Sequence, residues 1–113
     1  SHPASVDSAP TSANQEDHVS MATHGARRLI PMNANLARIV AIELMAAAEG
    51  IDFRQPLQSS KPLEAAHRLI RGKAARRDTD REFSGDIEAM AGLIETGACD
   101  SLVPGLLAEL GCR

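Results

Sequence analysis

The fold is decided between Leu29 and Glu49, "LIPMNANLARIVAIELMAAAE". Leu29, Met32, Leu36, Ile39, Val40, Leu44 and Ala47 recur there at steps of three and four, the spacing that gathers side chains on one face of an α-helix. From Ile39 to Ala48, "IVAIELMAAA", only Glu43 interrupts the run, so the apolar surface wraps nearly the whole circumference. A helix apolar all round is enclosed on every side, and a chain of 113 residues has few other helices with which to enclose it. This segment is therefore expected to meet other chain segments or other subunits. Pro31 lies inside the pattern and is expected to kink or split the helix, and Gly50, tolerant of left-handed geometry, to close it.

Beyond Gly50, "IDFRQPLQSSKP" reads as a linker of turn-forming and polar residues. Ser60 then serves as the N-cap of a second helix, with Pro62 tolerated in its first turn and Leu63, Ala66, His67 and Ile70 forming one stripe. "GKAARRDTDREFSG" is charged and irregular toward its end, a third helix runs from about Asp86 with Ile87, Met90, Ala91 and Ile94 on one face, and Gly97 stops it. A last short helix is expected from Leu102 to Leu110. No strand-like alternation of useful length occurs, so the class is all-α: one long central helix with two or three shorter ones.

Composition agrees. Hydrophobic residues make up 43% of the chain, yet Trp and Tyr are absent and Phe53 and Phe83 are the only aromatic residues, so a core must be built from Ala, Leu, Ile, Val and Met. That mixture favours helices, because β-branched and aromatic residues are scarce. A chain this long buries roughly two thirds of its unfolded surface, enough for one modest domain. The net charge of −3 argues against a general nucleic-acid binder. Its one basic cluster, Arg68, Arg71, Lys73, Arg76 and Arg77, reads as a solvated face. No apolar run approaches the 18 or more residues that a membrane span requires, and no signal peptide is visible. Cys99 and Cys112, without CxxC spacing or nearby ligand-spaced histidines, read as reduced thiols of a cytoplasmic protein more readily than as a zinc site or a disulfide, a terminal bridge being the alternative.

Toward the N-terminus, residues 1–12 ("SHPASVDSAPTS") read as an irregular arm and residues 13–113 as the helical part. Two helix starts compete: a capping box from Ser12 to Gln15, and Asp17 as N-cap. The span "SANQEDHVSMATHGARR" from Ser12 concentrates two amides, two adjacent carboxylates and two histidines. On a helix Glu16 and Asp17 point about 100° apart, so they form no facing dyad unless the backbone there is a loop. His18 and His24, six apart, fall on different faces and give no metal-ligand spacing. By residue type alone, the span is a polar helical turn whose carboxylates favour the unpaired N–H groups.

A resemblance adds chemistry to that reading. "HPASVDSAPTSANQEDHVSMATHGARRL", "NLARIVAIELMAAAEGIDFR", "SSKPLEAAHRLIR" and "DIEAMAGLIETG" resemble the C-terminal part of bacterial histidine ammonia-lyases, members of the methylidene-imidazolone-dependent aromatic amino acid lyases. The match is sharpest at "TSANQEDHVSM", where the Glu-Asp-His continuation after Asn-Gln points to the histidine enzymes. The resemblance implies non-oxidative elimination of ammonia from L-histidine to trans-urocanate, in histidine catabolism, by a homotetramer built around a bundle of long helices. It implies that Glu16 is the acid/base or imidazole-contacting carboxylate, that Asn14 and Gln15 shape the same pocket wall, and that Asp17 and His18 have structural or helix-start roles. No metal is implied.

The electrophile of these enzymes is a methylidene-imidazolone ring made autocatalytically from Ala-Ser-Gly. The nearest string here, Ala4-Ser5-Val6, lacks the glycine, and there is no Tyr to match the family's catalytic tyrosines. The chain, which begins with Ser1, is accordingly expected to be a C-terminal fragment carrying one wall of an active site and inactive alone. The alternative expectation is a stand-alone helical oligomerisation module that assembles through its apolar helix.

Overall fold

The computed structural model describes residues 9–102, and the chain divides into two compact units, Ser1–Asn35 and Leu36–Arg113. The described residues are helical, with α1 at Ala22–Asp52, α2 at Lys61–Arg71, α3 at Ser84–Glu95 and a short 3-10 turn at Asp100–Leu102. The arm up to Ser8, the expected helix after Leu102, and Cys112 lie outside the described residues.

In the first unit the helix begins later than either expected start. Ser12, Ala13 and Asn14 all adopt positive φ, at 54°, 55° and 66°, which no helical turn can contain. Thr11 and Glu16 instead pair as an isolated antiparallel bridge, each N–H donating to the other's carbonyl at 2.9 and 3.2 Å. Ser12 therefore caps nothing, and Asp17 stands five residues before the helix. The first helical hydrogen bond runs from the Gly25 N–H to the Met21 carbonyl at 2.9 Å, and the Ala22 N–H reaches Ser20 Oγ at 3.4 Å.

α1 runs through Pro31 as one 31-residue helix. The ring leaves the Arg27 carbonyl without its N–H partner, yet the helix is not split, because the turns on either side carry strong helix formers. Gly50 does not close it either. The last turn continues to Asp52, whose buried side chain is engaged from α2, and the Phe53 N–H still donates to Glu49 at 3.2 Å. By length and composition alone α1 is long and apolar enough to cross a membrane, contrary to the expectation that no apolar run approaches that size.

Within the second unit the inner face of α1 is not the expected stripe. Ala37, Ala41, Ala48 and Asp52 are buried, whereas Leu36, Ile39 and Ile42 are 56%, 61% and 51% exposed. The alanines leave room for Met90, the largest fully buried side chain, which joins them with Ala91, Ile70 and Ala74 in one core. Leu44, Met45, Ile87, Leu93 and Ile94 pack around that core.

Ser60 stands at the N-cap of α2 as expected, but its hydroxyl makes no cap bond. Glu64 in the first turn instead reaches back to the residue before the cap, accepting the Ser59 N–H at 2.8 Å. α3 ends as its sequence indicated. Gly97 takes φ 71°, the Ala98 N–H donates to Leu93 at 3.0 Å and the Gly97 N–H to Ile94 at 3.1 Å, the paired bonds of a Schellman cap.

Candidate functional site

In the first unit Asn14, Gln15 and Glu16 sit together on the loop closed by the Thr11–Glu16 bridge, and all three side chains are exposed. The Gln15 N–H donates to the Ser12 carbonyl at 3.1 Å, so Ala13 and Asn14 are the two central residues of a turn in which both have positive φ. Such turns favour Asn and Gly, and Asn14 fits; Ser12 and Ala13 hold the left-handed region at some expense, on the order of 1 kcal/mol or more each. Strain stored at consecutive non-glycine residues is a feature of ligand-gripping loops. Glu16 and Asp17 thus lie on non-helical backbone, free of the roughly 100° separation that a helix would impose on them. His18 and His24 are exposed, and His24 with Thr23, Arg27, Arg28 and Pro31 lines a shallow concavity of about 500 Å³ on the first turns of α1.

The second unit holds a cluster that the sequence reading did not assemble. Asp52, at the end of α1, is 7% exposed and is the one buried charged residue among the described residues. One of its carboxylate oxygens accepts from His67 Nε2 at 2.8 Å and the other from Arg71 Nη2 at 2.6 Å. Since a carboxylate can only accept, the Nε2 of His67 carries a proton. Arg71 also donates to Glu49 at 2.8 Å and to the Ala74 carbonyl at 3.2 Å, while its Nε is buried without an acceptor. Burial pushes the Asp52 carboxyl up, but the hydrogen bond and charge of Arg71, reinforced by His67, outweigh it and hold the group below its ordinary value.

The spacing signal for this cluster was present: Glu49 and Asp52 are three apart on α1, His67 and Arg71 four apart on α2. It was obscured by reading Asp52 into the linker and Arg71 into a solvated basic face. Arg71 is instead half-buried at the centre of the cluster, and of its basic neighbours Arg76 makes only a long exposed contact of 3.8 Å to Asp78.

Beside it lies an open apolar groove of about 530 Å³, lined by Ile42, Met45, Phe53, Phe83 and Ile87 with Arg71 and Arg77 at its polar edge. Both aromatic residues of the chain face it, and the Arg81 guanidinium sits 4.8 Å over the Phe83 ring. Arg81 also pairs with Asp86, and Arg38 with Glu88 at 2.7 Å, both near the surface.

The family model for aromatic amino acid lyases matches residues 1–72. The chain is 57% identical to a histidine ammonia-lyase of Rhodospirillum rubrum over 97% of its own length and 21% of that protein's. It is also 57% identical to a histidine ammonia-lyase of Desulfotalea psychrophila, over 90% of the chain and 20% of the relative. Among solved structures, histidine ammonia-lyase from Trypanosoma cruzi superposes with a TM-score of 0.81 at 43% identity, over 90% of this chain and 20% of that one. The chain thus spans about a fifth of the length of the relatives it matches.

Proposed function

Because the chain belongs to the aromatic amino acid lyase family, we propose that it is the part of a histidine ammonia-lyase that supplies one wall of the substrate pocket. The observation that carries the reading is the loop from Thr11 to Glu16, where the family-like "TSANQE" is held by a backbone bridge with three successive left-handed residues. The loop presents Asn14, Gln15 and Glu16 side by side. Asn14 and Gln15 offer amide donors and acceptors to shape the pocket. Glu16 offers a carboxylate that can hold the imidazole of L-histidine in one tautomer, stabilise its protonated form or accept a proton. The product of the elimination is trans-urocanate, with ammonia released.

The methylidene-imidazolone that the family resemblance implies would form from an Ala-Ser-Gly that this segment does not hold, so in the intact enzyme the ring would be supplied from elsewhere in the polypeptide. Assembly belongs to the same reading. Leu36, Ile39 and Ile42 leave a large apolar face open on α1, which suits burial between subunits of a homotetramer with no nucleic acid or membrane involved. The free thiol of Cys99 is in keeping with a cytoplasmic setting. A stand-alone interaction module is the weaker reading, since the matches extend over nearly the whole chain and not over the apolar helix alone.

The test is kinetic. In an intact lyase polypeptide containing this segment, Glu16→Ala lowers kcat by a factor on the order of 10² or more while the assembly persists, the usual scale for a positioned acid/base group. Asp17→Ala has a much smaller effect. Loss of turnover in the Asp17 variant with retention in the Glu16 variant means that the two carboxylates are assigned the wrong way round. The 113-residue chain by itself converts no L-histidine, and genuine turnover by it would refute the assignment.

A further inference from the structure

α2 is attached to its unit by little apolar surface. Of its 11 residues only Ile70 is buried, and Leu63 is 53% exposed. α1 and α3, by contrast, share Ala37, Ala41, Ala48, Met90 and Ala91, with Leu44, Met45, Ile87, Leu93 and Ile94 packed around them, and Arg38 reaches Glu88 across the pair. Ile70 and, just past the helix, Ala74 join the core formed by α1 and α3, and the remaining ties of α2 to the end of α1 are polar: His67 and Arg71 grip Asp52, Arg71 adds Glu49, and its other nitrogen holds the Ala74 carbonyl. The 3-10 turn at Asp100–Leu102 runs alongside α2, and its Asp100 is exposed.

We propose that α2 is a polar-latched strap: it leaves the end of α1 as a unit by breaking the Asp52–His67–Arg71–Glu49 cluster, while α1 and α3 stay packed together. Apolar burial is lost outright on opening, but buried charges exchange partners with water, and their regained hydration offsets much of the lost attraction. Arg71 Nε, which has no acceptor in the closed form, gains one in water. Opening also carries Arg71 away from the apolar groove, so the latch sets the shape of that groove's polar edge. This inference stands independently of the lyase reading.

Native-state hydrogen exchange on the whole 113-residue chain tests it. After correction for intrinsic rates, the slowest amides of α2, around Ala66–Ile70, exchange roughly tenfold or more faster than those of α3, around Met90–Ile94, because α2 opens without global unfolding. Ile87→Ala accelerates the α3 amides and leaves those of α2 within about twofold, since contacts between α1 and α3 survive the opening. Asp52→Asn accelerates both sets by one factor, because only the closed form holds the cluster. Should Asp52→Asn fail to fold, Glu49→Gln reads the same behaviour with a smaller factor. Equal protection of α2 and α3, with equal acceleration of both by Ile87→Ala, overturns the proposal.

Discussion

Replacing Met90 by Ala probes the packing that the structure reveals in α1. Met90 is fully buried, and its neighbours in the core are Ala37, Ala41, Ala48, Ala74, Ala91 and Ile70. Truncating a buried methionine costs about 2–5 kcal/mol, with the value set by how far the surroundings collapse into the space. The alanine methyl groups are fixed to backbone and cannot swing inward, whereas Leu44, Met45, Ile87, Leu93 and Ile94 around the core can close part of the space, so the loss falls within that range. With a urea slope of about 1–3 kcal/mol per molar, the unfolding midpoint falls by roughly 0.7–5 M. The chain has no Trp or Tyr, so far-UV circular dichroism is the probe of choice. Met90→Leu, which conserves volume, loses less than about 1.5 kcal/mol. A loss below about 1 kcal/mol for Met90→Ala, similar to that of the half-exposed Leu63→Ala, would refute the reasoning by showing that α3 does not seal the alanine face.

Three further outcomes are expected. Asp52 is held below its ordinary carboxylate value, so its contribution is fully present above the unfolded value, about 3.9, and is lost as pH falls through the lower folded value; acid titration of Asp52→Asn should lack that part of the wild-type decline, and superposable pH profiles would exclude it. Gly97→Ala forces an L side chain into φ 71° with its Cβ 2.8 Å from Asp100 Oδ2, and should cost about 1–2 kcal/mol by chemical denaturation, of which Asp100→Ala restores only the steric part. Ile39→Asp places a charge on the exposed apolar face and should reduce self-association in light scattering while leaving helix content unchanged, whereas a monomeric wild-type chain at tens of micromolar would count against that interface.

How much of this was legible in the sequence follows from the range of the interactions involved. The three helices were readable because periodicity and end signals are local, and the Gly97 stop was right down to its cap because a Schellman motif is written in consecutive residues. The same local signals misled at Ser12, where the backbone turned left-handed instead, at Asp17, five residues before the helix, and at Gly50, where the helix ran on to Asp52. The residues of the candidate loop were legible as a family-like string, while their placement on a bridged, strained turn was not.

The sequence by itself determined that the stretch from Leu29 to Glu49 would be helical and that its surface from Ile39 to Ala48 would be apolar nearly all round. Only the tertiary structure decided which side faces inward. A helix apolar on every side carries no internal preference, and the choice of the alanine face came from what α3 could fit against it, namely Met90. The Asp52–His67–Arg71–Glu49 cluster has the same origin. Its members lie up to 22 residues apart in the chain, and their charges become partners only when α2 folds back on the end of α1 and excludes the water that would otherwise solvate each of them separately.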